Sequence, residues 1–287
     1  MGLGSLSILI KMPATLRWLV WSTLIPLVLG SASAPPSARG VTTAPIKDAC
    51  REHSYKTHLV SEDPLVIYIE SLVTPEEASQ LTDLRFVAVP SPTINHLISI
   101  SESKFKPSPL WSDDGKVSFN PNYRSSLTAS LDRQSLIQCL ETRAKSFPFY
   151  TTPNALIKPL VVQRYGPSNQ YRDHYDWFSS SPTLDGNIDS TFFVYIQVNC
   201  TGGGTNFPRL KALEDEKWCD WVDCDQELGA GVTFRPLTGN AIFWRNLDEK
   251  GEGLKSTLHA GLPVTEGMKT GLNIWTWIKY SNVKSEL

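Results

Sequence analysis

The residues of this chain best suited to chemistry are His174 and Asp176, two positions apart, and His259, far downstream. Side chains two apart on a strand share a face, so a strand over residues 171–176 stands the imidazole beside the carboxylate. A second expected strand, over 256–260, brings His259 as a third donor. Two neutral imidazoles and one carboxylate suit Fe(II) and leave three positions of an octahedral ion open. A His-x-Asp pair alone is common, and a single histidine is more often structural. The set gains weight from Lys269, ten positions after His259. By period two, Lys269, Gly271, Asn273, Trp275 and Trp277 share one face of the next strand, and Lys269 is the only charge on it. A cation turned into an aromatic face is costly unless paired, and a bound carboxylate is a fitting partner. The bland alternative places Lys269 at a solvated strand rim.

The elements that must position these groups change character along the chain. In the first half, residues 63–70 read as a strand with Val66, Ile67 and Ile69. A helix start follows, with Thr74 as N-cap, Pro75 at the first helical position and Glu77 closing a capping box. A second helix is expected over 133–144, where Leu136, Cys139 and Leu140 recur at helical spacing. From Leu160 onward, short apolar or alternating runs are punctuated by Gly, Pro and Asn. Strands are expected over 160–165, 171–176, 192–198, 232–235, 241–244, 256–260 and 270–278. Helices first and many short strands later indicate an α+β chain that is mainly β: a sandwich or barrel buttressed by N-terminal helices.

Several stretches resemble prolyl 4-hydroxylases, a family of Fe(II)- and 2-oxoglutarate-dependent dioxygenases. The C-terminal signature is His259-Ala260-Gly261-Leu262-Pro263-Val264 followed by Lys269 and Trp275. Arg164-Tyr165 with Tyr171, His174 and Asp176 resembles the family's Tyr-x-x-Gly-Gln-x-Tyr-x-x-His-x-Asp segment. Gly202-Gly203-Gly204-Thr205-Asn206-Phe207-Pro208 is similar to its Gly-Gly-x-Thr-x-Phe-Pro turn, and Gly239 to Trp244 to its Gly-x-Ala-x-x-Phe strand. Residues 63–77 and Tyr123-Arg124-Ser125-Ser126 fit its N-terminal half. Ser168 and Asn169 stand where the family has Gly-Gln, Ser125 stands for a Thr, and the arginine common just before the strand at Thr191 is missing. The resemblance covers most of residues 60–280. It implies a double-stranded β-helix (jelly roll) core at about 160–280 within a domain spanning 60–283. It also implies Fe(II) on His174, Asp176 and His259, and 2-oxoglutarate held by Lys269 and the Tyr165 hydroxyl, with Trp275 walling the pocket. Arg124 and Tyr171 are candidates for the substrate side. The implied reaction consumes O2, turns 2-oxoglutarate into succinate and CO2, and hydroxylates peptidyl proline, with ascorbate sustaining the iron.

Composition and the chain ends bound the rest. The chain has 287 residues, a net charge of −2 and 41% apolar residues, enough to build a core and without the basic footprint of a nucleic-acid binder. Lys11 and Arg17, an apolar run from Trp18 to Leu29 and then Ala32-Ser33-Ala34 read as a secretory signal peptide. A retained signal anchor is the alternative, and only then does the chain meet a membrane. The run is shorter than the roughly 20 residues of a spanning helix. Residues 35–59 form a linker or extension, Pro-, Ser- and Thr-rich at its start. The chain ends Lys284-Ser285-Glu286-Leu287, one residue from the Lys-Asp-Glu-Leu retrieval signal, so the endoplasmic reticulum lumen is the expected place.

Five cysteines suit an oxidising compartment. Cys219–Cys224 is the favoured bridge, with Cys50–Cys139 second and Cys200 left over inside the Asn199-Cys200-Thr201 sequon. Competing readings are an oxygenase acting on a small molecule or on a residue other than proline, and a catalytically silent jelly-roll binding protein. The intact four-residue set argues against the latter.

Overall fold

In the stretch Phe192-Phe193-Val194-Tyr195-Ile196, alternate side chains enter two different cores, and this double burial organises the molecule. The computed structural model describes residues 53–74, 77, 104–150, 152, 154–179 and 184–280. Its strands in chain order are β1 (Lys56–Ser61), β2 (Val66–Glu70), β3 (Lys106–Pro107), β4 (Leu110–Trp111), β5 (Val117–Ser118), β6 (Leu127–Ser130), β7 (Leu156–Ile157), β8 (Val161–Tyr165), β9 (Tyr171–His174), β10 (Gly186–Gly202), β11 (Thr205–Phe207), β12 (Val232–Phe234), β13 (Ala241–Arg245), β14 (His259–Gly261) and β15 (Val264–Lys279). Among the described residues the larger sheet runs β1-β2-β13-β10-β15-β8-β6-β3, with β7 also on β15. The smaller sheet runs β12-β11-β14-β9, and β4 and β5 form a short hairpin of their own.

Phe192, Val194 and Ile196 of β10 join Ile67, Ile69 and Ile274 against Leu136, Ile137 and Leu140 of the one described α-helix, α1 (Ser135–Lys145). Phe193 and Tyr195 point the other way, into an aromatic cluster with Tyr68, Phe207, Phe234 and Trp244 that joins the larger sheet to β11 and β12. A central strand covered on both faces reads as a continuous apolar run rather than an alternation. Each buried aromatic contributes on the order of 2 kcal/mol from area alone.

The helical N-terminal half appears only in part. Thr74 and Glu77 exchange the expected reciprocal bonds, Thr74 N to Glu77 Oε2 at 2.9 Å and Glu77 N to Thr74 Oγ1 at 3.0 Å. The residues after Glu77 lie outside the described set, as do the N-terminal segment, the linker and the C-terminal tail. The expected strand over 63–70 is shorter, and β1, not expected, pairs with it as a hairpin. The strand over 256–260 is corrected: Lys255–Thr257 is a 3-10 turn, and β14 begins only at His259. Cys219 and Cys224 are bridged, and Cys200 is a free thiol. Cys139 is disulfide-bonded, while Cys50, its expected partner, lies outside the described residues.

Candidate active site

His174 closes β9 and His259 opens β14, and the two are direct antiparallel partners. Opposed residues on neighbouring strands present their side chains on one face, and the imidazole centroids stand 4.2 Å apart. Each ring uses Nδ1 on the backbone, His174 toward the Arg172 carbonyl at 2.8 Å and His259 toward the Thr257 carbonyl at 3.0 Å. With Nδ1–H donating there, Nε2 keeps its lone pair and faces the site. Burial and the neighbouring His259 hold the His174 pKa well below its ordinary value, which keeps the ring neutral.

Asp176 lies beyond the end of β9, not within it as the sequence pattern suggested, and reaches the site from the bend that follows. Its Oδ1 lies 3.8 Å from His174 Nε2 and 4.0 Å from His259 Nε2. Its Oδ2 accepts the Thr191 hydroxyl at 2.7 Å and the Trp275 indole N–H at 3.1 Å. Thr191 in turn accepts from Asn246 Nδ2 at 2.9 Å, and Asn246 Oδ1 accepts from Trp244 Nε1 at 2.9 Å. Phe207 and Trp244 pack on His259, and Tyr171 stacks on His174 at 3.4 Å between centroids. One ligand atom from each of the three residues falls within 4.8 Å of the others. Nitrogen and oxygen donors without thiolate, already aimed inward, fit Fe(II).

Lys269 is fully buried on β15, opposite Tyr165 of β8. Its ammonium sits 4.7 Å from the Tyr165 ring centroid and donates to the Gly203 carbonyl. Burial brings its pKa down to about 8. A cavity of about 500 Å³ joins Lys269, the His-Asp-His cluster and Trp277, a size typical of small-ligand sites. Arg124 and Tyr171 both line it, with the guanidinium 4.3 Å from the Tyr171 centroid.

Residues 160–277 match the family model of the 2OG-Fe(II) oxygenase superfamily. Over that stretch the chain is similar to that superfamily. Several curated relatives that it matches are named prolyl 4-hydroxylases. It is 24% identical over 233 residues to prolyl 4-hydroxylase 1 of Arabidopsis thaliana, covering 80% of this chain and 75% of that one. It is 31% identical over 172 residues to the prolyl 4-hydroxylase subunit alpha-1 of Gallus gallus, covering 57% of this chain but 29% of that subunit. The chain thus spans less than a third of the animal subunit's length. In fold it is similar to the viral collagen prolyl hydroxylase of Paramecium bursaria Chlorella virus-1 in complex with 2OG, at a TM-score of 0.50 and 21% identity over 79% of this chain and 98% of that one.

The structure brings every sequence-expected site residue to one cavity but changes two local pictures. The Tyr165 hydroxyl is engaged by Gln163 Oε1 at 2.6 Å. Trp275 lines the cavity as expected and also donates to Asp176. Thr191, Asn246 and the Gly203 carbonyl were missed. Thr191 precedes an apolar strand run and reads as an ordinary β-branched strand former, and no side-chain pattern marks a backbone carbonyl.

Proposed function

We propose that this oxygenase hydroxylates peptidyl proline on a jelly-roll core, with Fe(II) on His174, Asp176 and His259 and 2-oxoglutarate anchored by Lys269. The observation that carries the site assignment is the pairing, within one cavity, of an inward-facing His-Asp-His cluster and a buried lysine. When bound, iron, 2-oxoglutarate and O2 would supply oxidative decarboxylation to succinate and CO2, one atom of O2 entering succinate and the other a C–H bond.

The chain's own residues hold, orient and shield. Asp176 presents Oδ1 inward because Thr191 and Trp275 occupy Oδ2. The histidines present Nε2 because the Arg172 and Thr257 carbonyls fix Nδ1. The Lys269 ammonium, which donates to the Gly203 carbonyl, would hold the distal carboxylate of 2-oxoglutarate through a charge-assisted bond. The Tyr165 hydroxyl, which donates to Gln163 Oε1, would be its second donor. Phe193, Trp244 and Trp275 wall the reacting centre, and Arg124 and Tyr171 flank the substrate.

The proline reading is supported by the relatives' names, and ascorbate dependence comes with that reading. The signal-like N-terminus and the Lys284–Leu287 tail support a place in the endoplasmic reticulum lumen, either free or anchored, with the catalytic domain over residues 60–283. The test is succinate release from 2-oxoglutarate by the full chain with Fe(II) and ascorbate, with and without a proline-rich peptide. Peptide-stimulated release with one oxygen gained on proline is expected. Release without stimulation by peptide sends the substrate elsewhere, and no release from an iron-loaded chain overturns the activity.

A further inference from the structure

The described lining of the cavity carries three cationic side chains, Arg124, Lys158 and Lys269, against one carboxylate, Asp176. On the proposed function, the two charges of Fe(II) offset those of 2-oxoglutarate, and the excess of positive charge remains. Lys269 is assigned to the cosubstrate. Arg124 is already anchored, donating to the Pro109 carbonyl at 2.9 Å and to Ser126 Oγ at 3.3 Å. Lys158 is different. It is solvent-exposed, no ion pair to it occurs among the described residues, and its ammonium stands 4.3 Å from the Trp277 ring centroid.

Lys158 also sits at a defined place. Its backbone N–H is held by the Trp275 carbonyl at 2.9 Å, at the end of β15 opposite Lys269. Eight residues of strand separate Lys269 from Trp277, on the order of 25 Å. The floor at this end is apolar: Ile188 and Trp277 are direct cross-strand partners, and Phe178 and Leu184 complete it. Asn187 pins Phe178 through two bonds, its Oδ1 accepting from the Phe178 N–H and its Nδ2 donating to the Phe178 carbonyl. An apolar floor under a cation with no counter-ion among the described residues complements a peptide segment that carries an apolar side chain and a carboxylate beside it.

We propose that the Ile188–Trp277–Lys158 end of the cavity is a specificity subsite for acidic peptides: it seats the residue next to the target proline and reads an Asp or Glu there through Lys158. This rests on the peptidyl-proline reading. The experiment compares two proline-rich peptides that differ only in Glu or Lys at positions flanking the target, assayed on the full chain and on Lys158→Gln and Lys158→Glu. The native enzyme should favour the Glu peptide by about fivefold in kcat/KM, the scale of a partly solvated ion pair, with the difference in KM and shrinking as salt rises. Lys158→Gln should equalise the two peptides, and Lys158→Glu should reverse their order. The ratio within one variant is insensitive to how much of it is folded. Turnover of both peptides without charge bias, or a bias that survives Lys158→Glu, overturns the subsite and leaves the hydroxylase standing. Failure of either peptide to gain oxygen, with no succinate released, takes down both.

Discussion

Asp176 gives its two oxygens to different tasks, and this division sets what single substitutions should do. Removing the Thr191 hydroxyl leaves Oδ2 with one donor and loosens the carboxylate. Thr191→Val should weaken Fe(II) binding by about 10- to 100-fold, the usual cost of losing an orienting partner behind a metal ligand, measured by metal titration. His174→Ala or His259→Ala should abolish both binding and turnover; full activity in either variant sinks the assignment. Lys269→Ala should raise the KM for 2-oxoglutarate by roughly 10- to 100-fold, the scale of a charged hydrogen bond. An unchanged KM refutes the anchoring role. The pH dependence has a definite sign. With its pKa brought down to about 8, Lys269 is charged below that pH and loses its proton above it, so the KM for 2-oxoglutarate should be flat on the acid side and climb on the alkaline side. The four residues nearest the chemistry were legible in sequence because the His-x-Asp pair, His259 and Lys269 occur together and in the order of the prolyl 4-hydroxylase motifs, although the pair alone is common. The Thr191-Asn246-Trp244 chain behind them was not, since its members become neighbours only when β10 and β13 pair.

At the scale of elements, β10 and β15 are the spine, paired from Gly186↔Lys279 to Gly202↔Val264. Close packing across it leaves little tolerance. A Cβ added at Gly271 meets the Phe193 ring at 2.4 Å. Gly271→Ala should therefore cost about 1–3 kcal/mol through overpacking, read as a lower denaturation midpoint with an unchanged slope; an unaltered midpoint means the ring yields freely. The same pairing explains what the sequence concealed. Strands were expected over 192–198 and 270–278, the apolar middle of β10 and the apolar C-terminal part of β15. Their ends are carried by Gly, Asn, Thr and Glu, whose strand conformation comes from partners rather than propensity. β11 was invisible for a related reason: three residues inside a Gly-rich turn form a strand only because β12 and β14 lie on either side.

For the whole molecule, a metal held by His174, Asp176 and His259 would tie β9, the bend after it and β14 together. Loading should stabilise the fold by linkage, about 2.7 kcal/mol at a hundredfold excess over Kd, or roughly 5–10 °C in Tm for a chain of this size. Chelation should reverse the gain; a Tm indifferent to Fe(II) and to chelator argues against a metal bound by the native state. The mainly β architecture was readable from the punctuated apolar runs after Leu160, whereas the hairpin partner β1, polar along Lys56-Thr57-His58, gave no such signal.

The pairing of His174 with His259 across β9 and β14 also fixes an order of events on the ribosome. Asp176 is synthesised about 80 residues before His259, which at roughly 5–20 residues per second is several seconds. Through that interval the nascent chain holds an incomplete donor set, and β14 must pair with β9 before the two histidines become neighbours. The three-donor set is therefore complete only once His259 has been made and β14 has paired with β9.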